Sequence, residues 1–129
     1  MPLLPGSFKP EPTSFPGPYR YSDTLPLGEW NMLANGRVYV LTLSGVQGHR
    51  VDASMSSGLL QDAEWRGTAT ASSLATLSFT RVLPNHGLKQ RYSAYLLHYD
   101  RNDPFWRLVG TFGDINIGDH AGWYATRPR

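Results

Sequence analysis

The 129-residue sequence predicts an all-β fold: an eight-stranded up-and-down antiparallel β-barrel behind an extended proline-rich N-terminal arm. Three observations lead there. From residue 27 onward, short runs rich in β-branched and aromatic residues alternate with turn-forming clusters, and no helical period outlasts one turn. Each run meets the next through a short connection, and sequential hairpins of this number suit a closed barrel. Gly28-Glu29-Trp30 opens the first run and Arg127 ends the last. An indole there can plug one end of a barrel, with the guanidinium stacked on it.

The elements follow in order. Residues 28–34 run into Asn35-Gly36, the strongest short hairpin signal. In 37–43, Val38, Val40 and Thr42 share one face and Tyr39, Leu41 and Leu43 the other. Residues 44–48 turn the chain. Over 49–56, Val51, Ala53 and Met55 oppose Asp52 and Ser54, and a loop follows at Ser57-Gly58. The next strands are predicted at 65–71 and 74–83, the latter with Leu77 and Phe79 on one face. Pro84-Asn85-His86-Gly87 is a turn. The longest strand, 89–99, sets Tyr92, Ala94, Leu96 and His98 against Arg91, Ser93, Tyr95, Leu97 and Tyr99, the first face being the more apolar and directed inward. Residues 105–113 and 122–127 complete the eight. A threefold trefoil, hinted at by Trp30, Trp65 and Trp106, would need twelve strands in the roughly 100 residues after the arm, which is too little chain.

The chain divides into a proline-rich arm, residues 1–26, and a barrel domain, residues 27–129. Seven of the ten prolines lie in the arm, which forbids helix and central strand there. The arm also carries Leu3, Leu4, Phe8, Phe15, Tyr19 and Tyr21. Disordered tails are poor in such residues, so the arm is expected to pack on its own barrel or on a neighbouring subunit.

Composition narrows the function. The absence of cysteine removes disulfides, thiolate metal sites and cysteine nucleophiles. A net charge of +2 without a Lys/Arg cluster gives no expectation of nucleic-acid or anionic-membrane binding. No apolar run approaches the ~18 residues of a membrane span. The N-terminus lacks a basic segment followed by a continuous apolar one. A cytoplasmic chain is the default expectation, with a secreted chain that has lost its signal as the alternative.

Four pieces over residues 27–127 resemble the calycin barrels, and within them the avidin and streptavidin branch. Gly28-Glu29-Trp30 is similar to the Gly-x-Trp that opens the family's first strand. Arg66-Gly67-Thr68 resembles its Gly-Thr strand start, and Leu77-Ser78-Phe79-Thr80 its apolar mid-barrel strand. Trp123-Tyr124-Ala125-Thr126-Arg127 is similar to its Trp-x-Ala-Thr-Arg ending. The binding positions differ. Biotin-type sites use an asparagine and a serine just after the first tryptophan. Here Asn31 comes one position early and Met32-Leu33-Ala34 follow. The aspartate expected beside the last tryptophan is missing, unless Asp119 substitutes from the loop. The resemblance implies the fold more than it implies biotin.

On this reading Gly28, Trp30 and Arg127 close the barrel. Trp65, Tyr92, Leu96, Trp106 and Trp123 are the candidates for lining a ligand site, since aromatics near barrel mouths grip flat or apolar molecules. Each has a plain alternative as core packing. Arg91, Tyr95 and Tyr99 form a face suited to a subunit interface. His49, His86, His98 and His120 show no ligand spacing, and Asp100, Asp103 and Asp114 read as turn formers, so no catalytic residue, metal or cofactor is expected. The leading expectation is a non-enzymatic barrel that binds a small, partly apolar ligand, as a homo-oligomer. The alternative is a structural self-assembling subunit whose arm (Leu3, Leu4, Phe8, Phe15, Tyr19, Tyr21) docks on a neighbour. A third possibility is a cyclase that acts by shaping its substrate in a pocket.

Overall fold

The computed structural model describes residues 24–67, 75–97, 104–116 and 121–128. It has β1 (Gly28–Ala34), β2 (Arg37–Gln47), β3 (Arg50–Met55), β4 (Leu59–Arg66), β5 (Thr76–Leu83), β6 (Leu88–Leu97), β7 (Phe105–Asp114) and β8 (Ala121–Pro128). Each strand pairs antiparallel with the next and β8 returns to β1, so the sheet closes as an up-and-down barrel. The expected eight-stranded up-and-down barrel is the observed one. The arm residues Leu3, Leu4, Phe8, Phe15, Tyr19 and Tyr21 lie outside the described residues, as do His98, Tyr99, Asp119 and His120.

Local chemistry explains the strand ends. Asn35 and Gly36 have φ of 51° and 77°, the paired positive values of the tight turn whose twist matches its flanking strands. Between β5 and β6, Pro84–His86 makes one 3-10 turn and Gly87, at φ 63°, ends it. Two differences from the sequence expectation share one cause. The fourth strand is Leu59–Arg66, where 65–71 is predicted, and β2 continues to Gln47. Register shifts occur between Gln61 and Glu64, with Asp62 at φ 54°, and between Leu43 and Gly45. A bulge inserts a residue and inverts the inside–outside alternation, which hides a strand from a period-two reading.

Register stacks the interior in layers. One layer crosses β5, β6 and β7 as Phe79, Tyr92 and Phe112, directly opposite one another. Their rings stack: Phe79–Tyr92 at 5.0 Å and Tyr92–Phe112 at 4.6 Å, within 11° of parallel. The next layer toward the chain termini holds Leu77, Ala94, Gly110 and Trp123. Its small members make room for the indole, which meets Phe79 and Tyr92 edge-on. Trp123 Nε1 donates to the Ser93 carbonyl at 3.2 Å and to the Thr111 carbonyl at 3.1 Å. Leu96, Leu108, Ala125 and Met32 form the layer beyond.

Trp30, Trp123, Tyr92, Phe79, Met32, Leu41, Leu43, Leu77 and Leu108 are all under 2% exposed. Burying each such side chain stabilises by about 1.5–3 kcal/mol. The middle of the barrel is therefore a packed core, and any binding volume must lie at an end or in the wall.

Candidate functional site

The two ends of the barrel differ in kind. At the end where β1 begins and β8 finishes, Leu25 and Trp30 are buried and Trp30 Nε1 donates to the Pro26 carbonyl at 3.1 Å. Arg127 lies opposite Trp106 in the β7–β8 register. Its guanidinium packs on Gly28: a Cβ there would stand 3.0 Å from Nη2 and 3.1 Å from Nε. Gly28 also has φ 118°, a conformation that side chains disfavour. Thus Gly28, Trp30 and Arg127 come together at one end, and the arginine rests on the glycine that precedes the tryptophan. Nη1 donates to the Pro128 carbonyl at 3.0 Å, while among the described residues the buried Nε has no acceptor.

At the opposite end the described residues leave an opening. A cleft of about 300 Å³ enters there, bordered by Ala34, Tyr39, Ser57, Arg81, Leu83, Gln90, Tyr92 and Phe112, with Asn35, Arg37 and His86 at its rim. Strand alternation puts Arg81 on the inward face, two residues beyond Phe79 and four beyond Leu77. It is only 5% exposed. Among the described residues no carboxylate lies within ion-pair distance of it, the one ion pair being Arg66–Glu64 at 3.2 Å.

Neutral groups hold the cation instead. Arg81 Nε donates to the Ser57 carbonyl and Nη2 to the Ser57 hydroxyl, both at 3.0 Å. Nη1 donates to Gln90 Oε1 at 3.2 Å and, at 3.4 Å, to the Tyr92 hydroxyl. The Tyr92 hydroxyl itself donates to Gln90 Oε1 at 3.1 Å. The guanidinium carbon sits 4.8 Å from the centre of the Tyr39 ring, a cation–π distance. Gly58 makes this arrangement possible. Its φ is 86°, and a Cβ would stand 2.9 Å from Arg81 Nε.

Burial raises the Tyr92 phenol pKa above its ordinary value, against a hydrogen bond from Arg81 and its positive charge. The folded value thus exceeds the unfolded one. Tyr92's contribution to stability is complete below about pH 10 and is lost as pH rises through the folded value. A 295-nm titration should show one of the seven tyrosines ionising late, together with alkaline unfolding. Tyr92→Phe should remove that late step. Seven tyrosines titrating together near the ordinary value would contradict the assignment.

Of the residues expected to line a site, Tyr92 borders the cleft. Trp123 is wholly buried in mid-barrel, and its indole N–H is committed to two carbonyls. Trp65, Leu96 and Trp106 occupy the half nearer the closed end, by their register with Leu77, Leu108 and Arg127. Arg81, Tyr39, Ser57, Gln90 and Phe112 stand outside the expected set. One signal for them was available: an arginine continuing the Leu77–Phe79 face is a charge on an apolar stripe. A larger gap, about 720 Å³, opens in the wall where β3–β4 pairing narrows to Arg50 and Glu64. It lacks aromatic residues, and Asp52, Asp62 and Glu64 there face His49 and Arg50. Among the described residues no cluster of three or more His, Asp or Glu could hold a metal. No family model, curated protein or solved structure matches the chain.

Proposed function

We propose that this protein is a non-enzymatic binding barrel that takes a small, partly apolar ligand at its open mouth. The observation that carries the reading is the asymmetry of the ends: a packed floor at Trp30 and Arg127, and opposite it a cleft of about 300 Å³ that joins apolar walls to a few convergent polar groups. That combination is the usual form of a small-molecule site, and the volume lies at the low end of the roughly 300–1,000 Å³ such sites occupy. The likeness of Gly28-Glu29-Trp30 and Trp123–Arg127 to avidin-type barrels supports the same class of function. The site proposed here is the mouth, because aromatic side chains fill the interior.

Titration with the neutral apolar dye N-phenyl-1-naphthylamine, followed by amide NMR shifts, tests this. Shifts should centre on Ser57, Arg81, Gln90 and Phe112, leaving Gly28 and Arg127 unmoved. Shifts centred on the wall gap of β3 and β4, or none, would overturn the mouth as the site.

The filled interior also favours a second reading, a structural subunit that assembles through its arm. Exposed Tyr95 on the outer face of β6, at 51% exposure, suits a homo-oligomeric contact. The same sample resolves this. Removal of residues 1–24 should lower the number of subunits per particle in solution if the arm links subunits, and an unchanged oligomeric state would dismiss that role.

A further inference from the structure

Resting on the mouth as the binding site, we infer that the ligand is a small apolar monocarboxylate whose carboxylate pairs with Arg81. Buried charges are normally paired, because removing an ion from water costs more than neutral dipoles return. Arg81 is 5% exposed, and its contacts are a backbone carbonyl, a serine hydroxyl, an amide oxygen, a phenol and an aromatic ring. None carries negative charge. Among the described residues the cleft that borders it has no Asp or Glu, while Arg37 and His86 lie at its rim.

Among the described residues, Asp114 is the carboxylate that register sets in the same row as Arg81 and Gln90. It stands opposite Gln90, one strand beyond Arg81's own neighbour, hence about 10 Å away at two strand spacings. Its Oδ1 accepts the Asn116 amide at 2.7 Å, which caps the turn after β7. Among the described residues the charge of Arg81 therefore stays unmatched at the edge of the cleft.

Ligand chemistry follows from the count. One buried cation matches one negative charge, and a dianion such as a phosphate monoester would have to meet its second charge at the exposed rim arginine Arg37, where solvent screens the pairing. The guanidinium has five N–H groups in a planar fork. The four hydrogen bonds described above use three or four of them, so a donor remains for a planar oxyanion. The rest of the molecule meets Phe112, Leu83 and Ala34, which is an apolar surface.

Calorimetry with 2-naphthoate and its neutral isostere 2-naphthalenemethanol tests the inference on the full chain. The acid should bind about tenfold tighter or more, the margin of a hydrogen bond to a charged group. Arg81→Met should abolish the preference and leave the alcohol's affinity within about twofold, while Arg66→Met, an exposed arginine at the other end of the barrel, should keep the preference. Should Arg81→Met fail to fold, the arginine Nε–H spectrum of the unmodified protein decides. Arg81's signal should shift with naphthoate and stay put with the alcohol. Equal affinities, or a preference that survives Arg81→Met, would overturn the carboxylate and leave the mouth site standing. Binding of neither compound would overturn both.

Discussion

Gly110→Ala is expected to be the most damaging single substitution in this barrel, at about 4 kcal/mol or outright loss of folding. Gly110 lies in β7 between Ala94 of β6 and Trp123 of β8. A Cβ there would stand 2.6 Å from the Ala94 Cα and closer still to the Ser93 carbonyl oxygen. Both are backbone atoms in paired strands, so neither yields by a rotamer change. The methyl group would also disturb the Ser93 carbonyl that accepts the Trp123 indole N–H. Splaying β6 from β7 would thus unseat the largest residue of the layer and expose a buried donor. Urea denaturation of the variant beside the parent measures the loss. A change under about 1 kcal/mol would mean that the strands accommodate a methyl and that the close approach is not a constraint.

Trp30→Ala should cost about 3–5 kcal/mol, the range for removing a large aromatic from a core. The indole has no solvent exposure and its Nε1 is tied to the Pro26 carbonyl. Truncation leaves a cavity beneath the Gly28–Arg127 contact and frees the carbonyl that holds the chain entering β1. Denaturant unfolding reads the size of the effect. Ligand binding separates the two ends of the molecule. At temperatures where Trp30→Ala stays folded, affinity at the mouth should hold within about twofold, because the packed layers of Met32, Trp123 and Tyr92 lie between. Near-parental stability would show that Trp30 is not the floor of the barrel, and a tenfold loss of affinity would show that the ends are coupled.

Much of the fold was legible from residue pattern. The run 28–34, the Asn35-Gly36 turn, the shared face of Tyr39, Leu41 and Leu43 and the inward face of Tyr92, Ala94 and Leu96 all follow from period-two alternation and turn chemistry. β4 was displaced because the bulge at Gln61–Glu64 breaks that period, leaving Leu59 to Glu64 without a strand signature. The candidate site was less legible. Trp65, Leu96, Trp106 and Trp123 drew notice for their size, yet size alone does not distinguish a residue that fills a barrel from one that lines its mouth.

Residue order by itself determined an all-β chain, its strand count, the Asn35-Gly36 and Pro84–Gly87 turns, and the glycine, tryptophan and arginine that meet at the closed end. Tertiary structure alone decided which end is open and what stands there. Arg81 and Gln90 are nine positions apart in the chain but opposite in register, and Ser57 reaches Arg81 only because Gly58 folds the β3–β4 loop across the mouth. Likewise, the room for Trp123 comes from Gly110 and Ala94 on two other strands. Alternation specifies which face a side chain takes. Register and closure specify its neighbours across the barrel, and those neighbours decide whether an inward arginine is neutralised or left as a charge at an open cleft.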